Sequence, residues 1–180
     1  MKEEKLILVN EKDEPIGLMP KMEAHEKGLL HRAFSVFIMN DKGETMLQRR
    51  ALHKYHSPGL WTNTCCSHQR EGETNIAAGK RRMMEEMGFV TEELTDIFSF
   101  IYKAPFDNGL TEHEFDHVLI GYHKGEEPNI NPEEVAEWKW MSLNDIKLDI
   151  AANPDIYTEW FKIIFDKFYH FLPNTFTHED

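Results

Sequence analysis

Apolar and polar positions alternate along the chain in short blocks, and the blocks predict strands and helices in mixed order. Leu6–Val9 reads as a short apolar strand, followed by a turn over Asn10–Glu14. Pro20 opens a short helix through Ala24 and His25 that stops at Gly28. Leu30–Met39 (LHRAFSVFIM) reads as a buried strand, Asn40–Gly43 as a hairpin turn and Thr45–Arg50 as the return strand. Ala51–Glu73 is polar, holds Ser57-Pro58-Gly59, and reads as a long loop with a strand at Trp61–Thr64. Asn75–Met87 is the clearest helix, with Gly88 as its stop. Ile97–Tyr102 and Glu112–Tyr122 are strands on either side of a turn region at Pro105–Gly109. After a loop at Pro128–Glu134 come a strand at Ala136–Met141, a short helix at Leu143–Ile146 capped by Ser142, and an aromatic amphipathic helix at Tyr157–Phe168. The residues from Pro173 onward read as frayed.

Strands and helices that mix without strict alternation predict an α/β (α+β) fold, a mixed sheet with helices on its faces. The chain has 180 residues, and a domain typically takes about 100–200, so one domain over 1–180 is expected, with its core at about residues 30–165. No repeat or low-complexity linker divides it. The net charge of −12 argues against a broad nucleic-acid or anionic-membrane surface. No apolar run approaches the roughly 18–20 residues that span a membrane. The N-terminus, MKEEKLILVN, carries no secretory signal pattern. The two cysteines, Cys65 and Cys66, are neighbours, which excludes a disulfide scaffold and makes a reducing cytoplasm the expected location.

Three groups of residues carry candidate chemistry. Glu112 and Glu114 share one face of a strand about 7 Å apart, where their charges repel unless a cation sits between them. His25, His31 and His68 are imidazoles of the kind that bind transition metals, but only the fold can bring them to those glutamates; the other account is solvated glutamates and surface histidines. His53, His56, His113, His117, His123, His170 and His178 show no pattern and read as surface or structural. Cys66 stands two residues before His68, on the same side of an extended segment. It is a candidate base or nucleophile, or simply a small buried hydrophobe, while Cys65 should point into the core. In the helix, Arg81–Glu85 and Arg82–Glu86 make i,i+4 pairs on a charged face.

The last segment also resembles the Nudix box, G-x5-E-x7-R-E-U-x-E-E-x-G-U, whose glutamates hold magnesium on a diphosphate. Glu73, Arg81, Met83, Glu85, Glu86 and Gly88 fit it; Ser67 replaces the glycine, Phe89 the last aliphatic residue and Arg82 the first helix glutamate. With the Thr62-Asn63-Thr64-Cys65-Cys66-Ser67-His68 segment, the Glu112-His113-Glu114 strand and the His25/His31 pair, the chain from about Leu6 to Trp160 is similar to the type 1 isopentenyl-diphosphate isomerase family, a diverged Nudix-fold enzyme. The resemblance implies a Nudix-like mixed β-sheet sandwiched between helices.

It also implies roles. His25, His31, His68, Glu112 and Glu114 match the ligands of one divalent metal (magnesium, manganese or zinc). Glu86 matches a ligand for a magnesium bound with the substrate diphosphate. Cys66, Glu114 and Tyr102 match the catalytic groups. Lys21, Arg50, Lys54, Arg82 and Ser67 match the diphosphate-binding residues, and Trp160 an aromatic wall. The implied reaction moves a double bond between isopentenyl and dimethylallyl diphosphate, and the implied partner is that small substrate, with no nucleic acid, membrane, flavin or nicotinamide, in a monomer or weak homodimer. Two other readings stand beside it: a Nudix pyrophosphohydrolase acting on a nucleoside diphosphate derivative, suggested by Glu73, Glu85 and Glu86, and a non-catalytic binding domain.

Overall fold

A computed structural model describes residues 4–105 and 109–172. The middle of the expected Pro105–Gly109 turn and the tail from Pro173 lie outside the described residues. The elements are β1 (Lys5–Val9), β2 (Pro15–Pro20), α1 (Lys21–Lys27), β3 (His31–Met39), β4 (Glu44–Arg50), β5 (Trp61–Thr62), β6 (Cys65–Ser67), α2 (Asn75–Met87), β7 (Leu94–Pro105), β8 (Thr111–Tyr122), β9 (Val135–Ser142), α3 (Leu143–Ala152) and α4 (Glu159–Phe171). None of the described helices is long and apolar enough to cross a membrane.

The sheet is mixed and built around β3. Along its whole length β3 pairs in parallel with β8, from His31↔Glu114 to Met39↔Tyr122, and β7 continues the sheet antiparallel to β8. On its other edge β3 meets β4 only at the hairpin end, Met39↔Thr45. There Asn40 Oδ1 accepts from the backbone N–H groups of Lys42 and Glu44, closing the turn. β4 then leaves to pair with β9, and β6 takes the freed edge of β3 over Phe34–Val36. That divergence opens a cleft between β4 and β6.

The period of two assigns each strand residue to one of two cores. Phe34, Val36, Ile38, Leu119 and Cys65 face α2, where they meet Ala78, Met83 and Met87. Phe37, Met39, Val118 and Ile120 face α3 and α4, where they meet Ile146, Trp160, Phe161 and Phe168; Phe37 stacks on Phe168 with centroids 3.9 Å apart. The sheet is thus sandwiched between helices, as the sequence pattern and the resemblance predicted.

Helix α2 runs over the predicted residues. Thr74 caps it by accepting from the Ala77 N–H, and Gly88 ends it at φ +71. A Cβ at Gly88 would lie 2.1 Å from the Asn129 carbonyl oxygen, so no other residue fits there unaltered. Ser142 caps α3 as expected, but α3 runs on to Ala152 rather than ending at Ile146. The strand β2 was not predicted. It is exposed, bounded by Pro15 and Pro20 and interrupted by Gly17, so it shows no alternation of apolar and polar residues.

Candidate active site

Strand parity places the candidate residues. His31 and Ser35 on β3, Glu112, Glu114 and Asp116 on β8, and Tyr102 on β7 all have the parity that faces α4. Register then makes one row across three strands: Tyr102 opposite Glu114, and Glu114 beside His31. Cys66 is in register with Ser35 and shares that face, whereas Cys65 pairs with Val36 and is wholly buried against α2. Where the α4 face runs out of helix to pack against, Tyr102, Glu112, Glu114 and Cys66 line a cavity of about 1000 Å³, while His31, Ser35 and Asp116 are buried outside its lining.

At one end of the cavity α1 brings in His25, and the segment after β6 brings in His68. The ring centroids of His25, His31 and His68 lie 5.0–6.1 Å apart. One ligand atom each from these three and from Glu112 fall within 4.8 Å of one another, an arrangement that can hold a divalent metal. Glu114 joins them, with its Oε2 3.2 Å from His31 Nε2 and 2.9 Å from His68 Nε2.

The donor set fits a cation for a specific reason. His31 Nδ1 lies 2.9 Å from the Leu29 carbonyl oxygen, which can only accept, so Nδ1 carries the proton and Nε2 presents a lone pair. That lone pair faces a carboxylate oxygen, a pairing that a cation between them relieves. Burial, helped by His68 and His31, lowers the His25 pKa to about 3 and keeps the ring neutral, as a ligand must be. Burial pushes the Glu112 carboxyl well above the usual range, reinforced by Glu114. Burial acts on Glu114 in the same sense, but hydrogen bonds, from Glu112 first and also from His68, outweigh it and hold Glu114 ionised. The Tyr102 hydroxyl donates to Glu114 Oε1. Burial and the Glu114 charge keep that phenol protonated.

The thiol of Cys66 lies on the same cavity wall. Its sulfur is 2.8 Å from Asn63 Oδ1 and 3.6 Å from Ser35 Oγ. Burial, with the Asp116 carboxyl next, raises its pKa, so it rests as a thiol.

Lys21, Arg50, Lys54, Arg82, Glu86 and Ser67 also line the cavity. Arg82 bonds Glu86 Oε2 at 2.6 Å and Glu134 Oε2 at 3.0 Å. Burial works against the Arg82 charge, but Glu86 and Glu134 outweigh it and raise its pKa further. Lys54 pairs with the same Glu134 oxygen. The Arg50 guanidinium sits over the Trp160 ring, 5.2 Å from its centroid, so the cationic group and the aromatic wall are one unit. Glu73 is turned away from this end. It takes both Nε and Nη2 of Arg81, and Arg81 Nη2 also supports the His68 carbonyl oxygen at 3.2 Å.

Sequence reasoning passed over several residues of the wall. Gln48 bonds Glu86 Oε1 at 2.8 Å; a glutamine buried in a strand was the available signal. Asp116, buried outside the cavity lining against Ser35, continues the parity of Glu112 and Glu114 by one more step, a signal visible in the strand itself. Glu134 had no signal, because its place depends on β9 pairing with β4. His56, read as a surface or structural group, is buried in the cavity wall with its ring 5.8 Å from Trp160. Trp61 stays out of the cavity and lies under Lys139, consistent with a packing role.

The chain matches the NUDIX domain family over residues 29–161. Its fold is similar to that of DR0079 from Deinococcus radiodurans, with a TM-score of 0.69 at 23% identity, covering 89% of this chain and 97% of that one. A domain of the NUDIX class carrying a His/Glu cluster in its cleft is therefore the kind of protein this is. The chain is 48% identical to isopentenyl-diphosphate Delta-isomerase 2 of Aromatoleum aromaticum, over 92% of this chain and 86% of the relative. It is 51% identical to isopentenyl-diphosphate Delta-isomerase 2 of Photorhabdus laumondii, over 90% of each. The chain belongs to the isopentenyl-diphosphate Delta-isomerase family.

Proposed function

We infer that the protein interconverts isopentenyl and dimethylallyl diphosphate. The observation that carries this reading is a thiol, Cys66, and a tyrosine-backed carboxylate, Glu114, on the wall of one cavity that Lys21, Arg50, Lys54 and Arg82 also line. The reaction adds a proton at one carbon of the alkene and removes one from another, and no bond to phosphorus breaks. It therefore needs two acid–base groups and a grip on the diphosphate that does not cleave it.

Glu114 and Cys66 are the two groups. For the shift toward dimethylallyl diphosphate, the one proton that the resting thiol carries must first lie on Glu114, leaving Cys66 as the thiolate; Glu114, backed by Tyr102, then donates it to the alkene, and the thiolate removes the second proton. In the reverse direction the roles exchange, and the thiol and carboxylate of the resting site are the states that direction requires. Lys21, Arg50, Lys54, Arg82 and Ser67 hold the diphosphate. Arg82 replaces a carboxylate of the Nudix box with a cation, which suits gripping an anion rather than hydrolysing it. Trp160 walls the cavity, and its ring face can stabilise positive charge on the substrate by about 2 kcal/mol when desolvated. A cavity closed to water also protects a carbocation from capture as an alcohol.

His25, His31, His68, Glu112 and Glu114 would hold a divalent metal (magnesium, manganese or zinc), and Glu86 a magnesium that arrives with the diphosphate. Such cations supply fixed positive charge that offsets the paired carboxylates and the substrate phosphates. The protein is read as one domain, monomeric or weakly dimeric, working in the cytoplasm.

The test is proton NMR of the protein with isopentenyl diphosphate and a divalent salt, with and without chelator. Dimethylallyl diphosphate formed without phosphate release supports the isomerase. Phosphate release from a nucleoside diphosphate derivative with no isomerisation overturns it.

A further inference from the structure

Asn63 is wholly buried, and its environment settles which way its amide faces. Nδ2 lies 3.0 Å from the Val36 carbonyl oxygen and 3.0 Å from the Cys65 carbonyl oxygen. Both of those groups only accept, so the amide NH2 must point at them. The Oδ1 end is then turned toward Cys66 Sγ at 2.8 Å and toward Thr62 Oγ1 at 3.0 Å. An amide oxygen offers no hydrogen. The short contact therefore requires the sulfur to be the donor.

The second neighbour of the sulfur is constrained in the same way. Ser35 Oγ lies 3.1 and 2.9 Å from the two oxygens of Asp116, and Ser35 and Asp116 are both buried. With the hydroxyl hydrogen directed at Asp116, Ser35 presents only lone pairs to Cys66 Sγ, 3.6 Å away. On its wall side the thiol thus meets two acceptors, each fixed by a further buried group. In the resting thiol these two contacts pin the sulfur in place from the wall side.

We propose that Asn63, together with the Ser35–Asp116 pair, are positioning residues that fix the place of the Cys66 sulfur on the cavity wall. This rests on the reading of Cys66 as a reacting group. Neither Asn63 nor Ser35 lines the cavity, so neither is expected to touch the substrate. Their effect runs through the aim of one sulfur atom, and a misplacement of about 1 Å at a reacting group can cost about 100-fold in rate.

The experiment pairs infrared spectroscopy of the S–H stretch with steady-state kinetics. A Cys65→Ala background leaves one thiol, and Asn63→Ala, Ser35→Ala and Cys66→Ala are made in it, with circular dichroism as the folding check. In Asn63→Ala the S–H band is expected to move to higher frequency as its strong acceptor is lost. Its kcat should fall roughly 10- to 100-fold with KM within about twofold, because aim and not binding is lost. In Ser35→Ala, where the weaker contact goes, a smaller band shift and a kcat loss of roughly 2- to 10-fold are expected. A folded Asn63→Ala variant with an unmoved band, or with a moved band and unchanged kcat, overturns the proposal. If Asn63→Ala does not fold, Ser35→Ala decides in the same way: an unmoved band or an unchanged kcat overturns it. Cys66→Ala separates the two readings. Retained turnover in that variant removes the catalytic role of Cys66, whatever the band does.

Discussion

The two faces of the central sheet are built from alternate residues of the same strands, yet they do different work. The face toward α2 is apolar along its length, with Phe34, Val36, Ile38 and Leu119 on the strands and Met83 and Met87 on the helix. The face toward α4 begins in the same way, with Phe37, Val118 and Phe168, and then turns polar at Ser35, His31, Glu112, Glu114 and Asp116. Cys65 and Cys66 show the contrast at its smallest scale: one backbone step moves a thiol from the core to the cavity. The difference teaches that one face can carry buried unlike and like charges because the other supplies an undisturbed core behind it. A site built on paired strands is held more closely than one on loops.

The comparison can be broken first at its sharpest point. Cys66→Ala is expected to lower isomerisation by at least about 1000-fold, since one of the two proton-transfer groups is gone. Its melting temperature should stay near that of the parent. Cys65→Ala should do the reverse, retaining most activity while losing about 1 kcal/mol of stability in urea unfolding. If Cys65→Ala is the dead variant, the assignment of the faces is wrong.

Glu114→Gln comes next, with a rate loss of about 100- to 10,000-fold while the protein remains folded. Metal content by elemental analysis should fall in the same variant, because a carboxylate ligand becomes an amide. Unchanged content would remove Glu114 from the ligand set.

On the opposite face, Met83→Ala leaves a void against Phe34 and Leu119 and should cost about 2–5 kcal/mol, with kcat near normal at a temperature where the variant is folded. A kcat loss as large as that of Glu114→Gln would show that the faces are not separable.

The smallest expected effect is on acid stability. Burial, followed by Arg50 and Lys21, depresses His56 from 6.5 to about 3. The unfolded chain then takes up a proton that the folded one refuses, so the stability tied to neutral His56 is present above about pH 6.5 and drains away as pH falls toward 3. His56→Gln should flatten the loss of urea midpoint between pH 7 and pH 5. An equally steep loss in the variant would mean that other groups on this face dominate the acid response.

Much of the fold was legible from periodicity alone. The helix Asn75–Met87, the Asn40–Gly43 hairpin and the buried strand ending at Met39 came from local pattern and turn chemistry, which act over a few residues. β2 was not legible, because two prolines and a glycine in six exposed residues carry no alternation, and only pairing with β1 makes them a strand. In the candidate site, the Glu112/Glu114 pair and the Cys66/His68 spacing were visible as residues. The resemblance, and not their spacing, connected them to His25 and His31. Glu134 and His56 were not legible as wall residues, since one depends on the β4–β9 pairing and the other on the packing of the loop against α4.

The sequence by itself determined the local elements, the apolar faces and the kinds of side chain available, because propensity and periodicity are properties of neighbouring residues. Tertiary structure alone decided which of those side chains meet. The parallel register of β3 with β8 set His31 beside Glu114, and the departure of β4 from β3 let β6 carry Cys66 to Ser35. Both are long-range pairings, and a pairing between distant strands is fixed by the burial of whole faces, which no short window of residues contains.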